Sequence, residues 1–166
     1  MPTEPNVIES ACALLIKHEG KRLRRYRDSL GIWTIGVGFN LAQPGAREMV
    51  MRIGADYDAL LAGTADLTPE QCDHLLSQCI ISTIEWLTNV FPEFSTYSVN
   101  RQVALIDMAF MGEGHFLTFH HFIADVKDGD WISASNEALA SKWAEQVGKR
   151  AHDVALMLSS DMTVVG

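Results

Sequence analysis

The sequence predicts an α+β, mostly helical chain, with a small β-hairpin lobe, a long connecting helix and a helical C-terminal lobe. Three observations carry that prediction. Short β-like runs with turn glycines occupy residues 26–38; a strong helix start at Leu67-Thr68-Pro69-Glu70-Gln71 opens an apolar periodicity that lasts to the Phe91-Pro92 break; and beyond Tyr97 the spacing is helical throughout. At 166 residues the chain can bury about two-thirds of its unfolded surface. Its 48% hydrophobic and 20% charged residues are ordinary globular composition, without low-complexity segments or internal repeats.

Taken in order, Val7, Ile8, Ala11, Leu14 and Leu15 recur at helical spacing after Asn6, an N-cap residue type, and Gly20 stands where a C′ glycine ends a helix. Glu19 is then the last helical residue. Its carboxyl faces the negative end of the helix dipole, which favours the protonated acid, while Lys17, Lys21 and Arg22 favour the carboxylate. Asp28-Ser29-Leu30-Gly31 is a turn signal ahead of the strand pattern Ile32-Trp33-Thr34-Ile35-Gly36-Val37-Gly38. Gly36 and Gly38 alternate there and leave one strand face bare, open to a ligand or another backbone. Pro44-Gly45 ends the strand, and helical patches follow near Ala46 to Arg52 and Tyr57 to Leu61.

The long helix begins with N-cap Thr68, Pro69 at the first helical position and Gln71 closing a capping box. Leu75, Leu76, Cys79, Ile80, Ile84, Leu87 and Val90 continue it for about 35 Å, enough to bridge two lobes. Val99, Val103, Ile106 and Phe110 predict a helix ending at Gly112 or Gly114. Phe116, Phe119, Phe122, Ile123 and Val126 predict one closed by Gly129; Asp130 caps a third with Trp131, Ala134, Ala138 and Leu139; Gly148 introduces the last, with Ala151, Val154 and Leu156. The expected organisation is one domain over 1–166: a mixed lobe at about 15–66, the connecting helix at about 68–90, and a helical lobe at about 91–166 packed with the N-terminal helix.

A net charge of −8 argues against general nucleic-acid binding. Six of the thirteen Lys and Arg residues nevertheless lie between Lys17 and Arg27, a local positive field that suits an anionic polymer; the plain alternative is a solvated basic loop. Cys12, Cys72 and Cys79 have no metal-type spacing. On one helix Cys72 and Cys79 are roughly 10 Å apart, too far for a disulfide, so buried free thiols and folding in a reducing cytoplasm are expected. Glu4 and Glu9 interrupt any signal-peptide pattern, and the run Ala11 to Ile16 is too short to span a bilayer. Synthesis without a signal peptide and no stable membrane insertion follow as expectations.

The chemistry-bearing pattern is Glu19, eight residues, Asp28, five residues, Thr34. Two carboxyls, one closing a helix and one entering a polar turn, are the minimum equipment for acid-catalysed cleavage of a glycosidic bond. The plain alternative is a helix-end residue and a turn residue with no shared role. Trp33 suits stacking on a sugar face, or sheet packing; Trp143 suits the core of the helical lobe. His115, His120, His121 and Asp125 lack metal-motif spacing, so no metal and no cofactor are expected. Gly36-Val37-Gly38 lacks the phosphate-loop fingerprint, and no Ser-His-Asp or Cys-His grouping has positional support.

These residues resemble the phage-type lysozymes of glycoside hydrolase family 24, typified by the lysozyme of T-even bacteriophages. The resemblance rests on Glu19-Gly20, Asp28, Thr34-Ile35-Gly36-Val37-Gly38, Leu67-Thr68-Pro69-Glu70, Ala104-Leu105-Ile106-Asp107-Met108-Ala109-Phe110, Ser141-Lys142-Trp143 and Arg150-Ala151, in that order over nearly the whole chain. It implies a lysozyme-like two-lobe architecture with a cleft, and a muramidase that inverts the anomeric centre at the β-1,4 bond between N-acetylmuramic acid and N-acetylglucosamine. Glu19 is then the general acid, Asp28 activates water and Thr34 assists; Trp33, Gly36, Gly38, Met111 and Arg150 fall at substrate-binding positions. The implied partner is bacterial peptidoglycan and the implied role that of a monomeric phage or prophage endolysin, reaching the wall after holin-type release or other delivery. The alternatives are a non-catalytic peptidoglycan- or protein-binding module and a lytic transglycosylase. Three departures stand out: Phe39 replaces a frequent His and Cys79 the family's helix acid, so an apolar contact replaces an ion pair; Phe110-Met111-Gly112 is about one residue short and lacks an amide; and the chain is acidic.

Overall fold

The computed structural model describes residues 5–164, with side chains from Val7 onward. Among these residues ten α-helices accompany one three-stranded antiparallel sheet of order β1-β2-β3, an α+β and mostly helical fold. The chain divides into two compact units, residues 15–81 and residues 1–14 with 82–166, and both boundaries fall inside helices.

In the first unit α1 (Pro5–Glu19) delivers its last residues and stops at Gly20, whose amide bonds to the Ile16 carbonyl at 2.9 Å with φ +78°. The glycine is required there because L side chains disfavour that left-handed geometry. The helix starts at Pro5, so Asn6 lies in its first turn and does not cap it; the Asn6 side chain lies outside those described.

β1 (Arg22–Arg27), β2 (Trp33–Gly36) and β3 (Phe39–Asn40) follow. Tyr26 stands opposite Thr34 and Arg27 opposite Trp33, with a register shift between Arg22 and Tyr26. Such a bulge bends the strand and re-aims its side chains. β2 buries Thr34, Ile35 and Gly36, and Val37 and Phe39 are buried after it. Helices α2 (Ala46–Arg52) and α3 (Tyr57–Ala62) match the predicted patches, α3 being capped by Asp56 on the Ala59 amide.

α4 (Pro69–Val90) opens with the predicted reciprocal box: the Gln71 amide donates to Thr68 Oγ1 at 3.1 Å and the Thr68 amide to Gln71 Oε1 at 3.0 Å. The segment ahead of it is tied to β1 by the Leu67 amide on the Leu23 carbonyl.

The second unit is helical: α5 (Val99–Ala109), α6 (Glu113–Leu117), α7 (His120–Lys127), α8 (Trp131–Leu139), α9 (Lys142–Val147) and α10 (Lys149–Ser160). The single helix expected across Phe116 to Val126 is two, α6 and α7, and α9, capped by Ser141, had no sequence counterpart. Edge-on aromatic contacts hold this core together, with Phe116 meeting Trp86 at 5.5 Å, Phe122 at 5.9 Å and Phe91 at 6.2 Å between centroids. Trp143 is buried as expected. Cys12, Cys72 and Cys79 form no disulfide, but only Cys72 is fully buried; Cys12 and Cys79 are intermediate. No described helix is long and apolar enough to cross a membrane.

Candidate active site

Glu19, Asp28 and Thr34 all belong to the unit of residues 15–81. The backbone of Ile32 connects two of them. Its amide donates to Asp28 Oδ1 at 2.9 Å, and its carbonyl accepts from the Asp28 amide at 3.0 Å and from Thr34 Oγ1 at 2.9 Å. The Leu30 amide adds a second bond to Asp28 Oδ1 at 2.8 Å, and Gly31, at φ +80°, closes the turn on the Asp28 carbonyl. An Asx turn of this kind fixes the carboxylate through one oxygen. Oδ2 makes no hydrogen bond among the described residues, so it is the oxygen available for chemistry.

Thr34 is buried, and its only proton is given to Ile32; towards a ligand its hydroxyl acts as an acceptor. Glu19 is half-buried and lies against Gly38. Gly38 has φ +66°, and a Cβ there would stand 3.0 Å from Glu19 Oε2 and 3.1 Å from its Cδ. The missing side chain therefore makes room for the acid, a more specific use than the bare strand face expected from the sequence. Gly36 instead faces Cys72 and Leu67, where a Cβ would stand 3.5 Å from Sγ and 3.7 Å from Cδ1.

Tyr26, which sequence reasoning did not select, joins this group. It lies opposite Thr34 and two residues before Asp28, and the Arg22 guanidinium stacks 4.4 Å from its ring centroid. Its phenol is pushed above the ordinary value, by burial first and then by Glu19, with Asp28 adding; Arg22 and a polar contact with the Gly38 amide pull the other way. The available signal was a period-two step along a strand from Asp28, hidden because the basic run does not look like a strand.

The basic segment is largely committed internally. Lys21 pairs with Asp73 and Arg24 with Asp66, at 2.7 and 2.8 Å, and the Asp73 hydrogen bond holds Lys21 above its usual pKa. Arg25 donates to the Leu61 carbonyl and Arg27 to Gly31, while both guanidiniums lie about 4 Å from the Trp33 centroid, at 3.8 and 4.0 Å. Trp33 is thus a cation-stacked sheet residue.

In the helical unit, Met111 is half-buried just after α5, and Arg150 is bound to Asp107: Nε donates to Oδ1 at 2.8 Å and Nη2 to the backbone carbonyl at 3.0 Å. Phe39 is buried in β3, and burial pushes the Cys79 thiol up to about 12. His115 packs edge-on against Phe119, and among the described residues no three His, Cys, Asp or Glu side chains converge as a metal site.

The fold is α+β and mostly helical, and one compact unit carries both carboxyls, Glu19 at the end of α1 and Asp28 in the turn after β1. The phage lysozyme family model matches residues 16–156, and the chain belongs to that family. It is similar to the pre-baseplate central spike protein Gp5 of Enterobacteria phage T4, at 27% identity over 95% of this chain and 29% of the spike protein, so it spans less than a third of that relative. It is also similar to two Dictyostelium discoideum proteins named probable T4-type lysozyme 1 and 2. The first is 25% identical over 93% of this chain and 96% of the relative, the second 23% over 89% and 92%.

Proposed function

We propose that the chain is a muramidase that cleaves the β-1,4 bond between N-acetylmuramic acid and N-acetylglucosamine in peptidoglycan. Family membership supports lysozyme activity. The observation that carries the mechanism is the Asp28 carboxylate, anchored through Oδ1 by two backbone amides with Oδ2 uncommitted, in the unit that also holds Glu19. Glu19 gives its proton to the glycosidic oxygen as the bond to the anomeric carbon breaks. A water donates one hydrogen to Asp28 Oδ2 and the other to Thr34 Oγ1, which leaves a lone pair for the anomeric carbon. Its oxygen bonds there as Asp28 takes the proton, and configuration inverts.

The role is that of a phage or prophage endolysin acting on the wall after release from the cytoplasm. Similarity to a baseplate spike protein favours, as a second reading, a lysozyme module carried by a phage tail. Detection of the chain in purified virions separates the two.

Glu19→Gln is expected to lower turnover on chloroform-permeabilised Gram-negative cells by at least roughly a hundredfold while the melting temperature is kept or raised. Lysis equal to the parent's overturns Glu19 as the acid. Product analysis decides the reaction: reducing muramic acid ends support hydrolysis, whereas anhydro-muramic ends indicate a transglycosylase with no need for Asp28 to activate water.

A further inference from the structure

Tyr26 is placed more specifically than a sheet tyrosine needs to be. The bulge in β1 between Arg22 and Tyr26 sets its register opposite Thr34, and the Arg22 guanidinium covers its ring at 4.4 Å. Unlike Lys21 and Arg24, Arg22 makes no ion pair among the described residues, so its stack on Tyr26 is the contact that places it. The phenol lies near the backbone of Gly38, the residue whose missing Cβ makes room for Glu19, and feels both Glu19 and Asp28. No hydrogen bond of ordinary geometry uses the Tyr26 hydroxyl among the described residues, and no buried polar side-chain atom there lacks a partner, so the hydroxyl of this half-buried residue keeps some access to solvent. Burial and the two carboxylates keep it a phenol, hence a donor, at every pH at which the enzyme would work.

We infer that Tyr26 is a positioning residue whose O–H turns to Glu19 as that side chain gives up its proton, stabilising the carboxylate that forms; the inference rests on the muramidase reading. A contact made only as charge develops lowers the barrier without tightening substrate binding. The Arg22 stack and the pairing with Thr34 hold the ring in place for it.

The test compares Tyr26→Phe, which keeps the ring and the Arg22 stack, with Glu19→Gln and the parent. Soluble peptidoglycan fragments serve as substrate, at a temperature where circular dichroism shows each variant folded. The expected result is a kcat for Tyr26→Phe roughly tenfold to a hundredfold below the parent's, with KM unchanged. A folded Tyr26→Phe with parental kcat, or with kcat intact and KM raised, overturns the role of Tyr26 while an inactive Glu19→Gln leaves the muramidase reading standing. A loss of rate that only follows the fraction unfolded makes Tyr26 a packing residue and also overturns the inference. A fully active Glu19→Gln sinks the muramidase reading and this inference with it.

Discussion

In the unit of residues 15–81, Asp28 is held by two backbone amides through one oxygen and keeps the other uncommitted, whereas in the helical unit Asp107 is 1% exposed and locked to the Arg150 guanidinium. Both acids are ordered, but by different means. Backbone amides orient a carboxylate without neutralising it. A guanidinium consumes its charge, and when the pair is buried the two groups depend on each other. The first arrangement suits an acid that must accept a proton from water, the second an acid that joins α5 to α10.

The comparison breaks first at Asp28. Asp28→Asn keeps the Oδ1 acceptor for Leu30 and Ile32 but removes the base, so turnover is expected to fall by roughly a hundredfold or more, with stability within about 0.5 kcal/mol of the parent. A large loss of stability with activity retained would make Asp28 a structural residue like Asp107. The converse holds for Asp107→Ala, which leaves Arg150 partly buried without this partner and is expected to cost about 3 kcal/mol. Urea denaturation of the two variants side by side reads the contrast, and equal losses would erase it.

A finer probe stays within the hairpin. Gly31 and Gly38 both have positive φ, at +80° and +66°, so alanine at either position costs about 1 kcal/mol in backbone strain. Nothing lies within 4 Å of a Cβ at Gly31, whereas one at Gly38 meets Glu19 Oε2 at 3.0 Å. Gly38→Ala should therefore lose about tenfold more activity than Gly31→Ala at similar stability, since a misplacement of about 1 Å is enough for such a loss. Matching activities would mean that the Glu19–Gly38 contact is incidental.

Local signals were legible in the sequence: the Thr68–Gln71 box, the Asp130 cap, the Gly20 stop and the short helices after Pro44-Gly45 all depend on neighbours within a few residues. What was not legible depends on distant partners. The segment of Lys21 and β1 reads as a basic loop because its cations find Asp66, Asp73 and the Leu61 carbonyl, each more than thirty residues away. The same partners quench much of the positive field that suggested an anionic polymer. The break between α6 and α7 is hidden by phenylalanines whose spacing continues through Thr118, and α9 has only six residues to announce it. At the site, Glu19, Asp28 and Thr34 were visible as a spacing, but Tyr26 becomes visible only once β1 is known to pair with β2.

Asp130 supplies the smallest and most controlled test of the idea that amide-held acids keep their charge. Like Asp28 it is bound by a backbone amide, its Oδ1 accepting from Ser133 at 3.1 Å at the start of α8, and hydrogen bonds from Ser133 hold its carboxyl below the usual range. Its folded pKa is thus depressed relative to the unfolded chain. The stability it adds is present above the unfolded value and disappears as pH falls through the folded one. Asp130→Asn retains an acceptor for the cap but cannot titrate. The parent's advantage over it should therefore be seen at pH 7 and fade in acid, read from thermal melts of both proteins across that range. A difference that stays constant with pH would mean that hydrogen-bond geometry alone, and not the charge kept on the carboxylate, supports the start of α8.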